Sequence, residues 1–175
     1  MDILDRLLGH DAWTTRQLLL RCRELTDEQL DRPFDIGNRS LRQTFEHIIA
    51  CMESHTDLML ERTTADYDRD EETIDGMLTR LTIVAKDFAE FATAVEREGR
   101  ADAMCTNAEK TRKWPLGSLI AHLITHSMHH RAQVMYLLEQ LGVQNVMEGD
   151  ALGWEGQARG WSYRWCNSYG STVAD

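Results

Sequence analysis

Long apolar runs are missing from this chain. No stretch approaches the ~18–20 consecutive apolar residues needed to cross a bilayer. Basic charge is also short, with 19 Lys and Arg against 29 Asp and Glu and a net charge of −10. A phosphate-backbone binder needs a basic face, so this balance argues against DNA or RNA as a partner. It argues equally against an anionic membrane surface. The start, Met1-Asp2-Ile3-Leu4-Asp5-Arg6, lacks a basic leader followed by an apolar run. The four cysteines, Cys22, Cys51, Cys105 and Cys166, are far apart and form no Cys-x-x-Cys. Reduced thiols and a cytoplasmic location are therefore expected. Proline occurs only at positions 33 and 115. Several motifs are absent too: there is no Gly-rich phosphate loop, no His-Glu-x-x-His of a zincin protease, and no paired Glu-x-x-His of a di-iron carboxylate bundle.

What remains favours helix. The 175 residues are 42% hydrophobic and 27% charged, which is ordinary globular composition and enough chain for one core. Apolar residues recur at three- and four-residue spacing in four long segments. The first spans 2–24, with Ile3, Leu7, Leu8, Ala12, Leu18, Leu19 and Cys22 on its stripe. Thr26 and Gln29 form a capping box that predicts a short helical turn, and 31–39 reads as a loop. A second capping box, Ser40 and Gln43, starts a helix carrying Leu41, Phe45, Ile48, Met52 and Met59, which fades near Arg62. The acidic stretch 63–71 reads as a loop, and a third helix covers 72–98 with Gly99 as its C′ residue. Residues 102–113 show no helical period and suit a small hairpin or an irregular crossover. Pro115 then marks the start of a fourth helix over 116–141, which stops at Gly142. The expected fold is all-α, a four-helix bundle over 1–142.

Residues 143–175 differ in kind. They hold Trp154, Trp161 and Trp165, Tyr163 and Tyr169, and five of the eleven glycines. A coil whose aromatics dock on the bundle, or an arm reaching a pocket or a dimer interface, would hide those rings.

Chemistry concentrates in histidine. Four of the seven histidines lie in the fourth helix, and His122, His126 and His130 are spaced i, i+4, i+8. Such residues stack on one side of a helix, and an i, i+4 pair can aim two imidazoles at one ion. On a wheel of about 100° per residue, His126 and His130 fall among Leu119, Leu123, Val134 and Leu137, on the apolar face. His122 and His129 fall outside its edge. Buried imidazoles need a partner for each ring nitrogen, and a bound metal satisfies two of them at once. A third ligand has to come from another helix. The second helix offers His47, Cys51 and His55, again at i, i+4, i+8. By periodicity His55 ranks first, Cys51 lies nearer the stripe's edge, and His47 lies further out but within reach of an interhelical gap. His10, His122 and His129 read as structural or solvated. Arg131 reads as an ion-pair partner for a neighbouring helix, and Glu46, Glu53 and Arg131 are candidates for contacts to the ligands or to a substrate.

The run His122-Leu-Ile-Thr-His126-Ser-Met-His-His130-Arg-Ala-Gln133 resembles the last-helix signature of the DinB/YfiT-like superfamily, a His-x-x-x-His followed by Arg-Gly-Gln. Thr44-Phe45-Glu46-His47-Ile48 is similar to the place of that superfamily's first histidine ligand, and Trp114-Pro115-Leu116-Gly117 and the helix order are similar as well. The resemblance covers about residues 1–142. This chain has Ala132 where the superfamily usually has glycine, and its Trp-rich tail has no counterpart there. The resemblance implies a homodimeric four-helix bundle with one divalent metal ion held by His47, His126 and His130. Zinc or nickel comes first among the ions, then iron or manganese. Three histidines leave coordination positions open, as catalytic sites do, and such an ion lowers the pKa of a bound water or thiol. Characterised relatives include transferases and isomerases that use low-molecular-weight thiols. The expected function is therefore thiol (S-) transfer to a small-molecule electrophile. Metal-dependent hydrolysis and a non-catalytic metal-binding dimer are the alternatives.

Overall fold

The computed structural model describes residues 1–62, 73–147 and 149–161. The expected 63–71 loop, the start of the third helix at Glu72, and Tyr163, Trp165, Cys166 and Tyr169 of the tail lie outside them.

Four long helices form the bundle: α1 (Ile3–Arg21), α3 (Leu41–Met59), α4 (Ile74–Arg97) and α5 (Leu116–Gln140). Between α1 and α3 lie a 3₁₀ turn, the short α2 (Asp27–Asp31) and a second 3₁₀ turn over Ile36–Asn38. Strands β1 (Met104–Thr106) and β2 (Lys113–Pro115) precede α5, and α6 (Ala151–Ala158) follows it. The capping boxes set the helix starts. Ser40 Oγ accepts from the Gln43 N–H at 3.2 Å and Gln43 Oε1 accepts from the Ser40 N–H at 3.0 Å. Thr26 and Gln29 do the same for α2, and Asp2 and Asp5 for α1. Gly99 and Gly142 end α4 and α5 at φ +64° and +78°, the left-handed region that glycine enters at no steric cost.

α1 packs against α4 and α5, and α3 packs against the same two helices, so the order around the bundle is α1–α4–α3–α5. Both connections that carry extra structure, the α2 segment and the hairpin, therefore span a diagonal. The core is continuous through all four helices and includes Leu18, Leu19, Phe45, Ile48, Ile49, Met77, Val84, Phe88, Leu123, Val134 and Leu137. The first stripe is only partly borne out: Leu8, Leu18 and Leu19 are buried, whereas Ile3 is 77% exposed and Leu7 is 39% exposed. These two lie on a shallow apolar groove with Leu4, Val95, Ile120 and Ile124, which no element among the described residues covers.

The stretch without helical period is a hairpin. Its strands are antiparallel with Cys105 opposite Trp114, and Asn107 Oδ1 accepts from the Arg112 N–H at 2.7 Å to close the turn. Pro115 is the N-cap of α5 rather than its first helical residue, and its side chain cannot cap. The hairpin's approach supplies the missing acceptors: Leu116 N–H donates to Ala103 O at 2.9 Å and Gly117 N–H to Ala101 O at 2.8 Å. That accounts for two of the four orphan donors every helix start must satisfy.

The described part of the tail is not coil throughout. Asp150 caps α6, whose Trp154 is buried. The ring lies so close over Gly9 of α1 that a Cβ there would stand 2.4 Å from Trp154 Cζ2. Its helix face was hidden from periodicity because eight residues with two glycines give almost no pattern. His10 Nε2–H, one residue on, donates to Gly149 O at 2.7 Å. Arg6 Nε–H donates to Glu155 at 2.9 Å.

Candidate metal centre

α3 and α5 run antiparallel side by side. Two rungs fix this register: the rings of His47 and His130 are 4.6 Å apart, and those of His55 and His122 are 5.5 Å apart. Each helix contributes residues at i, i+4, i+8, so the cleft between them carries a ladder of six nitrogen- and sulfur-bearing side chains.

At one end His47, His126 and His130 converge, with one ring nitrogen of each lying within 4.8 Å of the others. His47 Nε2 and His126 Nε2 stand 3.1 Å apart. Two nitrogens on one tetrahedral zinc would stand about 3.3 Å apart, given bonds of about 2.0–2.1 Å, so the spacing suits a shared ion. His130 Nδ1–H donates to Gln133 Oε1 at 2.7 Å, which fixes the tautomer and turns the Nε2 lone pair toward the cluster. Gln133 is itself set against Gly37, at φ +69°, whose Cβ position lies 3.6 Å from the amide. His126 Nδ1 is buried with no hydrogen-bond partner.

The electrostatics keep these rings neutral. Burial, then the charge of Arg39 and of His130, pushes the His47 pKa down. Burial lowers His126 to about 4, helped by His130, His47, His122 and His55 around it. Burial lowers His130 as well, against the raising effect of the Gln133 bond. Neutral imidazoles with free lone pairs are what a divalent ion requires.

At the other end Cys51, His55 and His122 form a second group, again with one ligand-type atom of each within 4.8 Å. Periodicity ranked His55 above His47, and the structure reverses that order for the 126/130 pair. His47 faces His126 and His130, while His55 belongs with His122, which is exposed rather than isolated. The i, i+4, i+8 spacing on both helices was visible in the sequence. The register that matches the two rows was not.

The three charged candidates have other partners. Arg131 donates to the Asp11 carboxylate and, at 3.3 Å each, to Asp11 O and Thr15 Oγ1, tying α5 to α1. Arg80 of α4 donates to Glu53 through Nε and Nη2, both at 2.8 Å, and to Glu46 at 2.6 and 2.9 Å. Arg131 is thus the helix-pairing residue the sequence suggested. Glu46 and Glu53 join α3 to α4 instead of facing the histidines.

With an antiparallel pair of helices presenting neutral histidines into one cleft of a four-helix bundle, this is a helical protein with a group of residues that could hold a metal ion. A family model, the DinB family, matches residues 1–152. The chain belongs to the DinB family. It is also similar to the crystal structure of a DinB-like protein from Bacillus cereus, with 25% identity and a TM-score of 0.55 over 79% of this chain and 91% of that one. No curated protein matches it.

Proposed function

We propose that His47, His126 and His130 hold one divalent ion, and that the chain is a metal-dependent enzyme of the thiol-transferase type acting with a low-molecular-weight thiol. The observation that carries this is the convergence of three neutral imidazoles from two helices, with ligand atoms within 4.8 Å. Three nitrogen ligands suit zinc or nickel and leave a position open for a substrate. When bound, the ion would supply Lewis acidity, holding a thiol as thiolate near neutral pH.

The chain's own residues do the positioning. Gln133 holds His130 in the ligating tautomer. Asp11 and Arg131 lock α5 to α1 one residue beyond His130. Arg80, through Glu46 and Glu53, locks α3 to α4 beside His47. A cytoplasmic homodimer accompanies this reading. The uncovered apolar groove beside Ile3 and Leu7 is the support for a second copy, tested by sedimentation of the wild type against Ile3→Glu/Leu7→Glu.

The test is metal content by mass spectrometry on natively purified protein beside His126→Ala/His130→Ala. Transfer of a small thiol to an activated aryl halide is then assayed with both. About one ion per chain and turnover, both lost in the variant, are expected. Metal loss without any thiol transfer, but with ester or amide hydrolysis, would favour the hydrolase. No metal and no uptake of added zinc or nickel would end the enzyme reading.

A further inference from the structure

We propose that Cys51, His55 and His122 form a second ion site, one that contains a thiolate and takes a thiophilic ion of the zinc or copper(I) class. It lies in the same α3–α5 cleft as the three-histidine cluster, about one helical turn (~5.4 Å) further along, and it does not depend on the function proposed above.

The geometry carries it in three ways. The ligand-type atoms come from two helices and lie within 4.8 Å of one another; a Cys-His-His zinc site needs about 3.5 Å between sulfur and nitrogen. The remaining contraction falls on side-chain rotation, for which His122 is exposed. His55 is held in the tautomer a ligand needs. Its Nδ1–H donates to the Cys51 carbonyl at 2.9 Å, leaving the Nε2 lone pair available, which is the role Gln133 plays for His130. Cys51 Sγ sits 3.5 Å from His55 Nδ1, so sulfur and imidazole are neighbours on one helix face, and the Cys51 side chain has to turn to share an ion with Nε2. Among the described residues, none of the three side chains forms an ion pair that binding would have to break.

The two groups differ in donor chemistry. The first is all nitrogen, which suits borderline ions; the second adds a sulfur, which selects thiophilic ones. Binding forms one metal–sulfur and two metal–nitrogen bonds, and the Cys51 thiol proton leaves to solvent. The rings of His122 and His126 are 5.3 Å apart, so the two ions would sit in neighbouring, separately built sites.

Cobalt(II) is the probe. Full-length protein, stripped by chelator and kept reduced, is titrated with cobalt(II) and then examined for zinc stoichiometry by equilibrium dialysis. The expected result is a near-ultraviolet thiolate-to-cobalt charge-transfer band that saturates within two equivalents, and about two zinc ions per chain. Cys51→Ser and His55→Ala/His122→Ala should each abolish the band and lower zinc to about one, with unchanged helical circular dichroism. The His126→Ala/His130→Ala variant should keep the band. No band in the wild type, or a band that survives Cys51→Ser, overturns the proposal. So does a band lost in His126→Ala/His130→Ala, since Cys51 would then be a ligand of the first cluster. Undiminished zinc binding by that same variant would instead count against the three-histidine reading and leave this one standing.

Discussion

Replacing Arg131 with methionine isolates the buried charge pair that joins α5 to α1. Arg131 and Asp11 are each only 2% exposed, so neither charge has water to fall back on. Burial pushes the Asp11 carboxyl upward and the Arg131 charge and hydrogen bond pull it down. Methionine fills similar volume but removes the pull, leaving a carboxylate in an apolar interface. Removing one partner of such a pair costs about 3–5 kcal/mol. For a chain of this length each kcal/mol moves Tm by about 2–4 °C, so the variant should melt about 6–20 °C lower at pH 7. The deficit should shrink as pH falls. At lower pH the folded variant can protonate Asp11, whose folded pKa is already raised by burial beside Arg131 and rises further without it, and stability falls again as pH rises through it. Asp11→Asn/Arg131→Met should recover much of the loss, because no lone charge remains. Calorimetry or circular-dichroism melts of the four proteins complete the cycle. A single variant melting within about 2 °C of wild type, or a double variant losing the sum of both singles, would refute the account of Arg131 as the carboxylate's buried counter-charge.

Zinc at about 100 times the Kd of the three-histidine site should stabilise the wild type through that site by about 2.7 kcal/mol, a Tm rise of about 5–11 °C, measured by differential scanning fluorimetry as the difference between wild type and His126→Ala. The metal-free protein should lose stability as pH falls from 6.5, the ordinary histidine value, toward about 4, where His126 titrates in the fold. The unfolded chain binds the extra protons over that window, so the stability is complete above it. His47→Gln/His126→Gln/His130→Gln should flatten the slope in pH-dependent melts. Trp154→Ala should cost about 3–5 kcal/mol and open the 143–161 segment to limited proteolysis. Gly9→Ala should do the same more mildly, because its Cβ would meet Trp154 Cζ2 at 2.4 Å. Ser40→Ala removes the α3 cap and should cost about 1 kcal/mol, with helix order after Ser40 followed by hydrogen exchange.

Local spacing and caps specified the four long helices and most of their ends, though not α6. Spacing of Phe45, Ile48 and Met52, or of Leu119, Leu123, Val134 and Leu137, is a property of one helix and its solvent, and caps such as Ser40–Gln43 act within four residues. The family signature was equally local, since His126 and His130 lie one turn apart. Tertiary structure decided what those residues meet. Whether His47 or His55 faces His126 depends on how far α3 slides along α5, and that register is set by packing of all four helices at once. The same holds for Arg131, which finds Asp11 across the bundle at a separation of 120 residues, and for Arg80, which takes up both Glu46 and Glu53. Trp154 found its place only because α1 offers a glycine beneath it. Periodicity reports which face a helix buries; only the assembled bundle fixes the neighbour on that face, and the second ligand group in the α3–α5 cleft is a product of that pairing.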